Sequence, residues 1–471
     1  MLVRYLGYIL LISSIFRIIP VVAALVYNEP IFYFILSAFI SVILGLLLLW
    51  TGDRTKKEGN FFSFGQALIL VTLSFVLLSL IGSLSFLESF NNDALDSIFE
   101  SVSGLTTTGL TVYSSLEEVP KSVLLWRAEM QWIGGLGIVT FFLYILSMKK
   151  QTASRTIAEA EEIAMSKTIL HRAQGFSEAS RSVVRISSAI KIYLFYTLVG
   201  ILLLYLTGMP FYDSMAMTFT SVSTGGFSAG DIFYTNNMQL IVLSFLMLAG
   251  ATSFLAHDKL FRVKIKEFLR HPESNIFFVF IGAAILLTLT SSADLKLVLF
   301  EIISAFTTTG YTLTDIASLP QLFIMVIMVG MIIGGCTLST SGGMKAFRFY
   351  IVLKAPFWFL RKLSSPGGAI IPFKFRNNSI SEKTLLTIQI FFSTWILLLL
   401  FGTIILMVVG NNFLDSAFQM TSALGTVGLS TINLATLHWG GKIVLMLAML
   451  LGRLELFPLL YIIRNVFKNR W

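Results

Sequence analysis

Apolar residues run along this chain in long unbroken blocks, and polar positions gather in short stretches between them. Blocks long enough to cross about 30 Å of hydrocarbon lie near residues 2–26, 30–51, 62–86, 122–148, 187–208, 237–258, 274–291, 320–350, 384–409 and 440–466. They predict about ten helical spans, an even number that puts both termini on one side. Lys and Arg choose that side. They crowd the segments near 54–57, 149–191, 259–270 and 345–376, while 209–236 and 410–438 contain none and 292–319 contains only Lys296. This bias places both termini in the cytoplasm. The run after Arg4 has no small-residue cleavage site and reads as a retained first span.

Four outer segments are too apolar for ordinary loops and too short to span. Each is either an interfacial helix with a polar turn or a half-helix that re-enters the bilayer beside a water-lined path. Repetition separates the two readings. The segments are DSIFESVSGLTTTGLT (96–111), DSMAMTFTSVSTGGFS (213–228), LVLFEIISAFTTTGYT (297–312) and DSAFQMTSALGTVGLS (415–430). Aligned on Gly109, Gly226, Gly310 and Gly428, every copy has threonine two residues earlier (Thr107, Thr224, Thr308, Thr426). Every copy has a hydroxyl two residues later (Thr111, Ser228, Thr312, Ser430) and another six residues earlier (Ser103, Thr220, Ser304, Ser422). Asp96, Asp213 and Asp415 open three copies; Leu297 breaks the rule in the third.

The residue types suit one chemistry. An Asp opening the half-helix is expected to cap free N–H groups and complement the positive dipole end. The electronegative C-terminus then faces the place where a cation would sit, and glycine permits the φ values that turn carbonyls toward an axis. The candidate ion-binding set is Thr107, Thr108, Gly109, Thr224, Gly225, Gly226, Thr308, Thr309, Gly310, Thr426, Val427 and Gly428. No copy has a carboxylate at the glycine level, which points to a monovalent cation. The walls are unequal, since Gly225 and Gly425 stand where other copies have threonine.

Composition removes other classes. Of 471 residues 56% are hydrophobic and 13% charged, with mean hydropathy +0.83; a soluble surface of this size needs more charge. The net charge of +9 sits in the inner segments, so a nucleic-acid partner is not expected. Cys336 is the only cysteine, and His171, His257, His271 and His438 are scattered, so no disulfide, metal-ligand pair or covalent cofactor is anticipated. An embedded transferase would need clustered acids, a His/Cys constellation or a phosphate loop, and a scaffold has no cause to repeat Thr-x-Gly in register.

Along essentially its whole length the chain resembles the Trk/Ktr/HKT superfamily of potassium transporters. TTTGL, STGGF, TTTGY and GTVGLS look like its filter segments, and QWIGGLGIV (131–139), STSGGMKAFR (339–348) and GRLELFPLL (452–460) like its second-span stretches. Two extra N-terminal spans and GATSFLAH (250–257) point to the TrkH branch. The resemblance implies an all-α polytopic membrane protein: four pseudo-symmetric span–pore loop–span units around one ion pore, plus two N-terminal spans. The expected divisions are the extra spans (1–58), unit 1 (59–150), a cytoplasmic connection (151–184), unit 2 (185–271), unit 3 (272–352), a cytoplasmic loop (353–383) and unit 4 (384–471). The resemblance further implies potassium uptake across a bacterial inner membrane with K+ at the filter, a homodimer embedded in lipid, and a TrkA-type nucleotide-binding ring in the cytoplasm. In plant relatives serine at the first filter glycine goes with sodium preference, so Gly109 favours potassium. The alternative is a sodium-selective or sodium/proton-coupled transporter of the same fold.

Two polar features lie deep in apolar segments, where they are costly and usually functional. GGCTLSTSGG (334–343) interrupts the eighth span, either as a tolerated kink or as an unwound gating loop under the filter; Gly334, Gly335, Thr340, Ser341, Gly342, Gly343 and Lys345 form that candidate. Arg453 either faces the cavity and anchors this loop or pairs with Glu455 or another acid. Lys345 also has the option of snorkelling to the interface. Arg127 and Glu129 read as an interfacial ion pair. The stretch 158–185 is a solvated face or a docking surface for a regulatory partner, and 351–383, with Pro366-Gly367-Gly368, is the other docking candidate.

Overall fold

The computed structural model describes residues 2–52, 64–147, 178–231, 236–291, 294–366, 371–376 and 378–456. Two kinked N-terminal helices, α1 (Leu2–Phe16) and α2 (Ile18–Tyr27), form the first apolar block, and α3 (Phe32–Thr51) the second. Then come α4 (Phe64–Gly82), α5 (Ala94–Leu105), α6 (Lys121–Ser147), α7 (Glu178–Leu206), α8 (Phe211–Val222), α9 (Asn237–Ala251), α10 (Phe254–Phe261), α11 (Ile265–Leu269) and α12 (Pro272–Thr288). The chain continues through α13 (Leu295–Thr307), α14 (Gln321–Ile333), α15 (Ala346–Leu363), the antiparallel hairpin β1 (Phe373–Phe375) and β2 (Asn378–Ile380), α16 (Glu382–Val408), α17 (Phe413–Gly425) and α18 (Trp439–Arg453).

Each expected span has its helix, but not each is a straight crossing. Among the described residues five helical stretches have the length and hydropathy of full crossings: Leu2–Tyr27, Phe32–Thr51, Gly65–Phe86, Ile186–Leu206 and Glu382–Val408. The sixth block, expected as one span, breaks after Ala251, and α10 leaves α9 at 108°. The eighth stops at Gly334, whose φ of +66° ends α14, and resumes as α15 only after Lys345. The stretch 158–185 lies outside the described residues up to 177; its last eight residues begin α7. In the second docking candidate the helix runs as far as Leu363 and a hairpin spans 373–380, while residues 367–370 and 377, with Gly367 and Gly368 of its Pro-Gly-Gly, lie outside the described residues.

The short helices α5, α8, α13 and α17 pack by one rule. Each rests against the two helices that flank it and the second such helix of the preceding unit: α5 on α4, α6 and α18; α8 on α7, α9 and α6; α13 on α12, α14 and α9; α17 on α16, α18 and α14. A cyclic rule of this kind builds a four-fold pseudo-symmetric bundle from one chain. The outward faces, including Ile12, Leu202, Leu286 and Phe401, are exposed and apolar, as lipid requires. The central helix ends are buried.

Candidate ion-conduction site

The acids that open the repeats are not the caps. Asp93 caps α5, accepting from the N–H groups of Leu95 (2.9 Å) and Asp96 (3.2 Å), Asn412 caps α17, and Pro210 and Asp294 occupy the cap positions of α8 and α13. Asp96, Asp213 and Asp415 sit three residues further in, in the first turn, where their charge still complements the dipole. Asp415 and Asn412 bond reciprocally, in the manner of a capping box. Asp96 also takes Lys442 Nζ of α18 at 2.6 Å, joining the first and last units.

All four helices end alike. Thr107, Thr224, Thr308 and Thr426 are left-handed, with φ between +49° and +58°. The following amide bonds the carbonyl five residues back: Thr108 to Ser103 (2.9 Å), Gly225 to Thr220 (2.7 Å), Thr309 to Ser304 (3.0 Å) and Val427 to Ser422 (2.9 Å). This is a Schellman ending with threonine where glycine is usual. A β-branched residue there is strained by about 1–3 kcal/mol and persists only where its surroundings dictate it.

The glycines then interlock. Gly109, Gly226, Gly310 and Gly428 have φ of +88°, +77°, +87° and +98°. A Cβ on Gly109 would lie 2.2 Å from the Gly225 carbonyl oxygen; on Gly226, 1.8 Å from that of Thr309; on Gly310, 1.8 Å from that of Val427; and on Gly428, 2.4 Å from that of Thr108. The contacts run from unit 1 to 2, 3, 4 and back to 1, so the four turns face one another around a single closed ring. Eight of the twelve candidate filter residues make these contacts, and the other four, Thr107, Thr224, Thr308 and Thr426, are the left-handed helix endings that lead into them.

Directly against this ring lies the non-helical segment 334–345. Gly342 N–H donates to Thr308 Oγ1 (2.7 Å), Gly343 N–H to the Gly425 carbonyl (3.0 Å), and Thr340 Oγ1 to the Val222 carbonyl (3.0 Å). Three of the four helix endings therefore touch it. Gly334 packs on Gly342 and Gly343, and Gly335 on Ser341, each too closely for a side chain. Arg453, buried, donates to the carbonyls of Thr340 (2.7 Å) and Gly134 (3.3 Å). It does not form the expected alternative pair with Glu455, which takes Arg348 at 2.7 Å and lies 4.0 Å from Lys345. Lys345 does not snorkel; it is buried and donates to the Ser341 carbonyl. Glu273, in the first turn of α12, accepts from Thr337 N (2.6 Å) and Oγ1 (2.7 Å), a tether that sequence reasoning missed.

A family model described as TrkH, cation transport protein, matches residues 31–293 and 274–467. The chain belongs to the TrkH family of cation transport proteins. Among its relatives, an uncharacterized cation transporter of Methanocaldococcus jannaschii is 29% identical, the match covering 99% of this chain and 95% of that one. The Trk system potassium uptake protein TrkH of Salmonella typhimurium is 28% identical over 98% of both. The crystal structure of the potassium transporter TrkH from Vibrio parahaemolyticus superposes with a TM-score of 0.83 at 26% identity, covering 99% of this chain and 98% of that one. The TrkH-branch resemblance drawn from the two extra N-terminal spans and GATSFLAH therefore holds, and the chain is a transporter rather than an enzyme.

In this TrkH-family chain the pairing of Arg127 with Glu129 does not form. Two residues apart on a helix, they point to different sides. Arg127 Nε instead meets Glu100 Oε1 on α5 at 2.7 Å, fully buried, with its guanidinium over the Phe227 ring at 4.0 Å. Glu100 also takes Thr111 Oγ1 (2.9 Å) and Val112 N–H (3.1 Å), fixing the non-helical segment that follows Gly109. The same bond recurs from Thr312 to Glu301 (2.9 Å) and between Gln419 and Ser430 (2.6 Å). The acid or amide nine residues before three of the four glycines was legible in the repeat and overlooked; Met217 fills that place in the second copy. On the outer surface Asp231 joins units 1 and 2 through Ser115 Oγ (2.6 Å) and Leu116 N–H (2.7 Å). Burial is the largest single influence on its carboxyl and pushes it up, but these bonds, with the Glu117 N–H and the Arg127 charge, together outweigh it and hold the group below the ordinary range.

Proposed function

We propose that this protein carries potassium ions into the cell across a bacterial inner membrane, through the ring of four Thr-x-Gly turns, with both termini cytoplasmic. The observation that carries the reading is the closed ring of glycine-to-carbonyl contacts, four carbonyls converging where four helix C-termini end. Carbonyl rings of this kind replace an ion's hydration shell, and relatives named as potassium uptake proteins agree with the ion. The segment 334–345, with Gly334, Gly335, Thr340, Ser341, Gly342, Gly343 and Lys345, is the gate in this reading, and Arg453 holds it shut. A homodimer and a TrkA-type ring on the cytoplasmic side belong to the same proposal and follow from family likeness. So do the unit boundaries expected from the sequence.

The unequal walls favour one competing reading, sodium selectivity or sodium/proton coupling. Reversal potentials of purified protein in liposomes under K+/Na+ gradients decide between them. The parent should discriminate for K+, and Gly109→Ser should erode that preference, its Cβ pressing on the Gly225 carbonyl. Absence of any cation flux, with and without a regulatory ring, would sink the reading.

A further inference from the structure

Three filter walls carry a β-branched residue just before the glycine: Thr108, Thr309 and Val427. The second carries Gly225, and conformation is not the reason, since Gly225 is not left-handed whereas Gly226 is. The reason is space. A Cβ on Gly225 would lie 2.3 Å from both Cδ and Oε1 of Gln131, a fully buried residue of α6 in the first unit. Gln131 Nε2 donates to the Gly225 carbonyl at 2.7 Å, and its Oε1 accepts from Phe227 N–H at 3.1 Å. The amide thus brackets Gly226 from both sides, and its orientation is fixed by one donor and one acceptor. The second helices repeat a pattern here: Gln-Trp-Ile-Gly134, Met-Leu-Ala-Gly250, Met-Ile-Ile-Gly334 and Met-Leu-Leu-Gly452. Met247, Met331 and Met449 are buried like Gln131 but offer no N–H. The odd amide and the odd glycine meet each other.

We infer that Gln131 is a positioning residue for selectivity: its side-chain amide replaces the β-branched side chain that the second wall lacks and fixes the Gly225 carbonyl in the ring. This rests on the filter reading above. A carbonyl held by a protein donor shares its lone pairs with that donor, so the second wall gains a fixed orientation at some cost to its strength as an ion ligand. The orienting bond is what keeps it usable.

The test is reversal-potential measurement on the full chain in liposomes, with unfolding temperatures recorded alongside. Gln131→Leu keeps the bulk and removes both bonds; the K+/Na+ permeability ratio should fall about fivefold, the factor for one hydrogen bond of ~1 kcal/mol. Gly225→Thr alone should displace Gln131 and lower the ratio similarly. Adding Gln131→Ala vacates the space and should return both the ratio and the unfolding temperature toward the parent. A parental ratio in Gln131→Leu, or a double variant no better than Gly225→Thr, overturns the inference. Should Gln131→Leu not fold, the Gly225→Thr pair decides. Should the parent carry no cation at all, the filter reading fails, and the unfolding temperatures of that pair still judge the packing.

Discussion

Gly310 and Gly208 share a backbone φ of +87° but not their surroundings. A Cβ at Gly208 meets nothing within 4 Å, whereas one at Gly310 lies 1.8 Å from the Val427 carbonyl oxygen and 2.8 Å from its carbon. The two alanine variants therefore separate conformation from collision. Each carries the left-handed cost of about 1–2 kcal/mol, and each should lose at least that much stability. Only Gly310→Ala must also push a ring carbonyl outward by roughly 1 Å, and misplacement of that size in an optimised site costs on the order of 100-fold. Rubidium uptake in a strain lacking its own potassium transporters, normalised to membrane abundance, reads the difference. Gly208→Ala should stay within about twofold of the parent, since no neighbour shifts. Gly310→Ala uptake equal to that of Gly208→Ala would refute the claim that the ring is the conduction path.

Other perturbations follow from the same contacts. Gly342→Ala would set a Cβ 2.0 Å from Thr426 Oγ1 and 2.2 Å from the Gly425 carbonyl, lifting the segment off the ring. Resting potassium flux without a regulatory ring should rise about tenfold, the equivalent of ~1.4 kcal/mol of lost contact; unchanged or lower flux would argue that the segment is a kink and not a gate. Glu100→Ala strands a buried Arg127 and should cost about 3–5 kcal/mol of stability, seen as a lowered unfolding temperature in detergent. Glu100→Ala with Arg127→Leu should recover most of it, and failure to do so would remove the buried pair from the account.

The repeat made the ring of turns legible because glycine has to stand where a neighbouring carbonyl closes on the Cβ position at positive φ, as at Gly109, Gly226, Gly310 and Gly428. The interruption of the eighth span was equally readable, since glycines and hydroxyls have no reason to sit at that depth. The break of the sixth was not: Thr252 and Ser253 are ordinary in a membrane helix, and bonds to the distant segment 334–345 redirect the chain, from Phe254 N–H to the Leu338 carbonyl and from the N–H groups of Cys336 and Thr340 to the Ala251 and Gly250 carbonyls. The caps were misplaced because Asp93 and Asp96 differ in sequence by three positions and in no chemical respect. The Arg127 and Glu129 expectation failed on helical spacing alone, which was available without coordinates. The left-handed threonines could not be foreseen, because propensity argues against them and tertiary packing wins.

The segment beneath the ring is bonded to the endings of three different walls, with Gly342, Gly343 and Thr340 each occupied by a different one. It cannot swing aside without first releasing those endings, Thr308 Oγ1 and the Gly425 and Val222 carbonyls among them. If the segment is the gate proposed above, unblocking the passage therefore also unclamps the ring of turns, and ion discrimination becomes a property of the conducting conformation, distinct from the one at rest.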